Sequence, residues 1–113
     1  MREAVKDNVR LQHILDACDM LIQSREQDSL EELRNNPVKF YGYVKLVEII
    51  GEATYKLTKE FRESHPEIPW DMMEGMRHVL VHDYYRISPE KLWDTICEDI
   101  PTLKPMVERF IKK

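Results

Sequence analysis

The sequence predicts an all-α protein, a bundle of about four main helices joined by short connections. The 113-residue chain holds only 3 glycines and is rich in Leu, Ile, Val, Met, Glu and Lys, a composition that suits helices better than a turn-rich β fold. Apolar residues recur at spacings of three and four over long stretches, the period of one helix face. Proline, asparagine and serine collect between those stretches, and no alternating segment reads as a strand. The length fits one domain spanning residues 1–113, without repeats, linkers or low-complexity segments.

The first helix is expected over 2–25. Leu11, Ile14, Leu15, Cys18, Leu21 and Ile22 form its apolar stripe, while Arg10, Gln12, Asp16 and Asp19 fall mostly elsewhere. Ser29 stands three residues before Glu32, the spacing of a capping box that would open a short helix. Asn35, Asn36 and Pro37 then break it. Residues 38–63 carry the longest periodic run and predict one long helix. Tyr43, Val47, Ile50, Thr54, Leu57 and Phe61 make one stripe, and Phe40, Val44, Val47 and Gly51 make a second beside it. Gly51 in mid-helix costs about 1 kcal/mol relative to alanine, a cost that makes sense if another helix packs close there.

"SHPEIP" (64–69) reads as a loop. A helix should begin near Pro69, with Asp71 and Glu74 close to its positive end. Ser88 as N-cap and Pro89 at the first helical position open the next, whose buried stripe is Leu92, Trp93, Ile96, Cys97 and Ile100. Pro101 and Pro105 punctuate a final short helix, from which Leu103, Met106, Val107, Phe110 and Ile111 can pack back.

The net charge of −4 argues against a broad basic nucleic-acid surface. It leaves room for a small basic site, or for one completed on assembly. No run of roughly 18 apolar residues exists, and the mixed-charge start "MREAVKDNVR" lacks a signal-peptide core. The expectation is a cytoplasmic protein without a membrane partner. Cys18 and Cys97 are far apart and both lie on apolar stripes, so they read as small buried hydrophobes and not as a disulfide.

The stretch "RHVLVHDYY" (77–85) is where chemistry concentrates. On a wheel with Arg77 at zero, Met72, Met76, Val79 and Leu80 cluster between about 200° and 300°, the expected core face. Arg77 then lies opposite that face. His78 and His82 sit together, one turn apart. Asp83 would fall on the core face, an expensive place for a lone carboxylate. The regular helix is therefore expected to end or bend at about His82. Arg77 and His82 stand about 140° apart on the wheel, so a bend or a second subunit must bring them together if they share a substrate.

Each of these residues also has a plain reading. His78 could lie on the surface, and His82 could be a cation at a helix C-terminus. Arg77 could pair with Glu74, Asp71 or a partner's carboxylate, and Tyr84 and Tyr85 could be half-buried plugs. His78 and His82 have the spacing of a two-histidine zinc half-site. However, Val79 stands where the hydrolytic version needs glutamate, and no cluster supplies further ligands. No metal and no cofactor is expected, and phosphate-cradling glycine loops are absent. Metal-free phosphate chemistry fits better. Histidine titrates near neutrality and can move a hydroxyl or leaving-group proton. Arginine stabilises charge on a phosphorane-like transition state. Tyrosine can donate to a phosphoryl oxygen or orient the histidine. Arg77, His82 and Tyr84 supply all three.

Here the chain resembles a known family. Arg77, four residues, His82, Asp83 and Tyr84 match in full the Arg-x4-His-x-Tyr motif of the HepT-like toxins of the HEPN superfamily. "IIGEA" (49–53), "PEIPW" (66–70), "GMRH" (75–78), "HDYYRI" (82–87), "LW" (92–93) and "IPTL" (100–103) occur in the same order in that family, over roughly residues 5–110. The resemblance implies an up-and-down HEPN bundle that forms a homodimer with the two motifs facing across the interface. It implies a metal-independent endoribonuclease acting on cellular RNA, the toxin of a type VII toxin–antitoxin pair. The partner implied is an MNT-type nucleotidyltransferase antitoxin that transfers AMP to the motif tyrosine, here Tyr84. By position, Arg77 would bind the scissile phosphate and His82 would act as acid and base. His78, where the family usually has another polar residue, would be auxiliary. An alternative is a non-catalytic HEPN module that binds nucleotide or scaffolds the nucleotidyltransferase.

Overall fold

A computed structural model describes the backbone of residues 2–83 and 88–111, and the side chains of residues 6–77 and 88–111. All the regular structure among these residues is helical. The elements are α1 (Arg2–Arg25), α2 (Leu30–Asn35), α3 (Pro37–Tyr55), α4 (Lys59–Ser64), α5 (Trp70–Asp83), α6 (Pro89–Asp94), a π turn (Thr95–Asp99) and α7 (Ile100–Ile111).

The short polar segments start helices as their sequences suggest. Ser29 Oγ accepts from the Glu32 amide at 3.2 Å and opens α2. Asn36 serves two helices. Its amide donates to the Glu32 carbonyl at the end of α2, and its Oδ1 accepts from the Lys39 amide at the start of α3. Pro37 follows at the first helical position, where its missing N–H costs nothing. Ser88 Oγ caps α6 by accepting from the Lys91 amide, again with proline next.

The run 38–63 is not one helix. It stops at Tyr55 and restarts at Lys59. Thr58 is the reason. Its backbone is extended, and its Oγ1 accepts from the Phe61 amide to cap α4. Its own amide and hydroxyl donate to the two carboxylate oxygens of Asp7, at 2.9 and 2.7 Å. Asp7 is buried on α1, and a buried carboxylate requires such donors. The break also turns Phe61 toward Trp70 and Phe110, with ring centroids 5.8 and 5.4 Å away.

The C-terminal region departs in the other direction: α6, the π turn and α7 run on without a gap. A proline ring collides with the carbonyl four residues earlier and offers no amide. Just before Pro101 the turn widens, and the Ile100 amide bonds to the Thr95 carbonyl five residues back. The helix then continues through Pro105.

The core is one cluster. It includes Leu11, Ile14, Cys18 and Leu21 of α1, Val47 and Ile50 of α3, Met73 and Met76 of α5, and Ile96, Ile100, Leu103 and Val107. α3 packs against both α1 and α5, and α1 also packs against α7. Cys18 is fully buried, and burial pushes its thiol up to about 12, which keeps it unreactive at neutral pH. Cys97 and Trp93 are only half-buried, so the stripe expected to bury both is narrower than the sequence suggests.

Candidate active site

α5 is turned relative to the expected wheel. Trp70, Met73 and Met76 are buried, whereas Met72 is 42% exposed. Met73, not Met72, faces the core, and it stands about 40° from Arg77 on a regular helix. Arg77 therefore borders the core face and does not lie opposite it. Its side chain is only 23% exposed.

The cause is the closeness of α3. A Cβ built on Gly51 would run into the backbone nitrogen of Arg77 and stand 2.9 Å from its Cβ. Only a residue without a side chain permits this approach. Gly42 and Gly75 have open space at the same point, so the helix contact depends on Gly51 alone among the three.

The same face of α3 then holds the arginine. Arg77 Nε donates to Glu52 Oε1 at 3.2 Å. Its Cζ lies 4.0 Å from the centroid of the Tyr55 ring, a cation–π contact. Glu52 also has Lys56 Nζ at 3.9 Å. Among the described residues, nothing hydrogen-bonds the two terminal nitrogens of Arg77. Glu74 and Asp71, the intrachain carboxylates expected for Arg77, face Arg62 instead, with Arg62 Nη2 at 2.7 Å from Glu74 and 3.8 Å from Asp71.

His78 and His82 follow Arg77 on the backbone of α5, which extends through Asp83. Their side chains, and the whole of Tyr84, lie outside the described residues. The described atoms thus join Arg77 to Glu52 and Tyr55. Nothing in the sequence alone pairs those two with Arg77. The available signal is that Glu52 follows Gly51 directly and Tyr55 comes one turn later, so a close approach at Gly51 brings both toward the facing helix.

No group of His, Cys, Asp or Glu among the described residues is placed to hold a metal. His65 is packed between the rings of Phe61 and Phe110, at 4.7 and 4.4 Å between centroids. No described helix is long and apolar enough to cross a membrane.

Comparison with known proteins adds an independent finding. Residues 14–110 match the family model described as Ribonuclease HepT-like. A candidate RNase of Caldanaerobacter subterraneus subsp. tengcongensis is 40% identical over 103 residues, 91% of this chain and 92% of its own. A candidate RNase of Methanocaldococcus jannaschii is 36% identical over 98 residues, covering 87% and 90%. A candidate ribonuclease HepT of Thermococcus cleftensis is 33% identical over 112 residues, covering 99% and 100%. No solved structure matches.

Proposed function

The chain belongs to the ribonuclease HepT-like family of the HEPN superfamily, and on that premise we propose that it is a metal-independent endoribonuclease that cleaves cellular RNA, the toxin half of a type VII toxin–antitoxin pair. The observation that carries the reading is Arg77. Its guanidinium is held along one edge and one face, and no described residue hydrogen-bonds its terminal nitrogens. A phosphate takes two parallel N–H donors from such a fork.

In this mechanism the RNA 2′-oxygen attacks the adjacent phosphorus and the bond to the 5′-oxygen breaks. Arg77 stabilises the charge that builds on the phosphoryl oxygens. The His82 imidazole takes the 2′-hydroxyl proton and returns it to the departing 5′-oxygen, leaving a 2′,3′-cyclic phosphate. Tyr84 donates to a phosphoryl oxygen or orients His82, with His78 as an auxiliary polar group. A homodimer resolves the divergence of positions 77 and 82, which differ by about 140° on a regular helix. A two-fold axis beside α5 sets one copy's Arg77 near the other's His82.

The antitoxin of this proposal is an MNT-type nucleotidyltransferase that attaches AMP to Tyr84. The added phosphate would engage Arg77 and repel incoming RNA. This step rests on the motif resemblance.

The test begins with expression alone in a bacterial host, beside His82→Ala. Wild type should arrest growth and the variant should not. Equal, harmless growth of both would favour the non-catalytic scaffold. RNA cleavage should persist in EDTA. After co-expression with a neighbouring nucleotidyltransferase, mass spectrometry should find whole AMP units on Tyr84, and modification confined to other residues would remove that assignment.

A further inference from the structure

We propose that Glu52 and Tyr55 are positioning residues that aim the terminal nitrogens of Arg77 at the scissile phosphate, with Gly51 allowing α3 close enough to do so. The inference deepens the ribonuclease reading and rests on it for the identity of the phosphate.

The geometry separates aiming from blocking. A carboxylate that competed with RNA would take the two terminal nitrogens, the fork that a phosphate needs. Glu52 takes only Nε, at 3.2 Å. Tyr55 covers a face of the guanidinium, with Cζ 4.0 Å from its centroid. One edge and one face together fix the plane and the direction of the fork. A free arginine side chain has about 2 kcal/mol of rotamer entropy to lose on binding, and a held one has already lost much of it. Glu52 and Tyr55 are themselves on the rigid body of α3, not on a loop.

Neither residue is a structural necessity. The Glu52 side chain is 45% exposed and Tyr55 is 50% exposed. An exposed ion pair contributes little to stability. Their placement around a half-buried guanidinium is therefore better explained by what the guanidinium does.

The experiment measures cleavage of a short single-stranded RNA by Glu52→Ala, Glu52→Gln, Tyr55→Leu and Tyr55→Phe, with thermal midpoints as the folding control. Glu52→Ala should lower kcat by about 10- to 100-fold with a smaller change in KM, because misdirection is felt in the transition state. Glu52→Gln keeps an oxygen that can accept from Nε and should recover to within about threefold of wild type. Tyr55→Leu should lose about threefold to fivefold, and Tyr55→Phe, which keeps the ring, should lose almost nothing. Glu52→Ala should add less to Arg77→Lys than to wild type, since it acts through the arginine.

A rise in cleavage by Glu52→Ala would mean that Glu52 competes with RNA, and the proposal would fall. So would wild-type rates in both Glu52→Ala and Tyr55→Leu while Arg77→Ala is dead. If Arg77→Ala cleaves as wild type does, or if wild type cleaves nothing, the ribonuclease reading fails instead. The arginine hold is then judged without activity, by the 15N–1H resonance of Arg77 Nε, assigned by its loss in Arg77→Lys. A distinct, slowly exchanging signal that collapses toward exposed arginines in Glu52→Ala supports the hold. A signal unchanged by Glu52→Ala overturns it.

Discussion

Arg62 and Arg77 are buried to nearly the same degree, with side chains 20% and 23% exposed, yet their surroundings differ in kind. Arg62 spends a terminal nitrogen on two carboxylates of α5, Glu74 and Asp71. It fastens α4 to α5 through the part of the guanidinium that binds anions. Arg77 is held by Nε and by a ring face, and its terminal nitrogens hydrogen-bond to no described residue. Burial alone does not separate a structural arginine from one available to a ligand. The edge of the guanidinium that is already occupied does.

The sharpest way to break this comparison is to truncate each arginine. Arg77→Ala should reduce RNA cleavage by about 100-fold or more, the scale of losing a transition-state donor. Arg62→Ala should leave cleavage within about threefold and instead cost about 1–2 kcal/mol in urea unfolding, between the values for exposed and buried pairs. The reverse pattern would mean that the two roles are exchanged.

The next effect concerns the glycine behind Arg77. Gly51→Ala should destabilise the fold by about 2 kcal/mol, since overpacking outweighs the gain in helix propensity. It should also depress cleavage by shifting Arg77. Gly42→Ala and Gly75→Ala, with open space at their Cβ positions, should stabilise by up to about 1 kcal/mol. Thermal unfolding of the three variants checks the contrast.

A polar cluster far from Arg77 in sequence gives a smaller effect. Asp28 accepts from Lys39 Nζ at 2.6 Å and from the Tyr43 hydroxyl. Those two hydrogen bonds, that of Lys39 first, hold its carboxyl below the usual range. A depressed carboxylate contributes stability above its unfolded pKa, near 4, and loses it as the pH falls through the folded value. Tyr43→Phe should therefore cost about 1.5 kcal/mol at pH 7. The gap to wild type in urea titrations should shrink below about pH 4. Cleavage should not change. A gap that stayed constant at acid pH would show that the cost comes from packing alone.

The smallest expectation is chemical. A thiol reagent applied to the native protein should label Cys97, half-buried at the π turn, before the fully buried Cys18. Peptide mapping after brief alkylation reads the order.

Much of the fold was legible because its signals are local. Ser29, Asn36 and Ser88 cap helices where a short polar side chain precedes a periodic run. Gly51 announced a close helix contact, and one is there. The failures share a cause, which is that the deciding partner lies elsewhere in the chain. Thr58 looked like part of a long periodic run because Asp7, 51 residues earlier, is what fixes it as a cap. Met72 and Met73 are equally apolar, and the approach of α3 decides which one is buried. The same displacement put Arg77 on the wrong side of its helix. The motif residues stand out in the sequence, but Glu52 and Tyr55 do not, because nothing local joins α3 to α5.

The wide turn at Thr95–Asp99 has a consequence for rotational phase. In it the Ile100 amide bonds five residues back where a regular helix bonds four, so the turn works as an inserted residue absorbed without a loop. Leu103 and Val107, beyond it, are buried in α7, which packs on α1. Removing Glu98, an exposed residue of that turn, would let the same amide bond back over four residues as in a regular helix and leave Leu103 and Val107 facing α1. A single deletion there should therefore be tolerated far better than one inside α7 itself, which would turn the residues beyond it by about 100° about the helix axis.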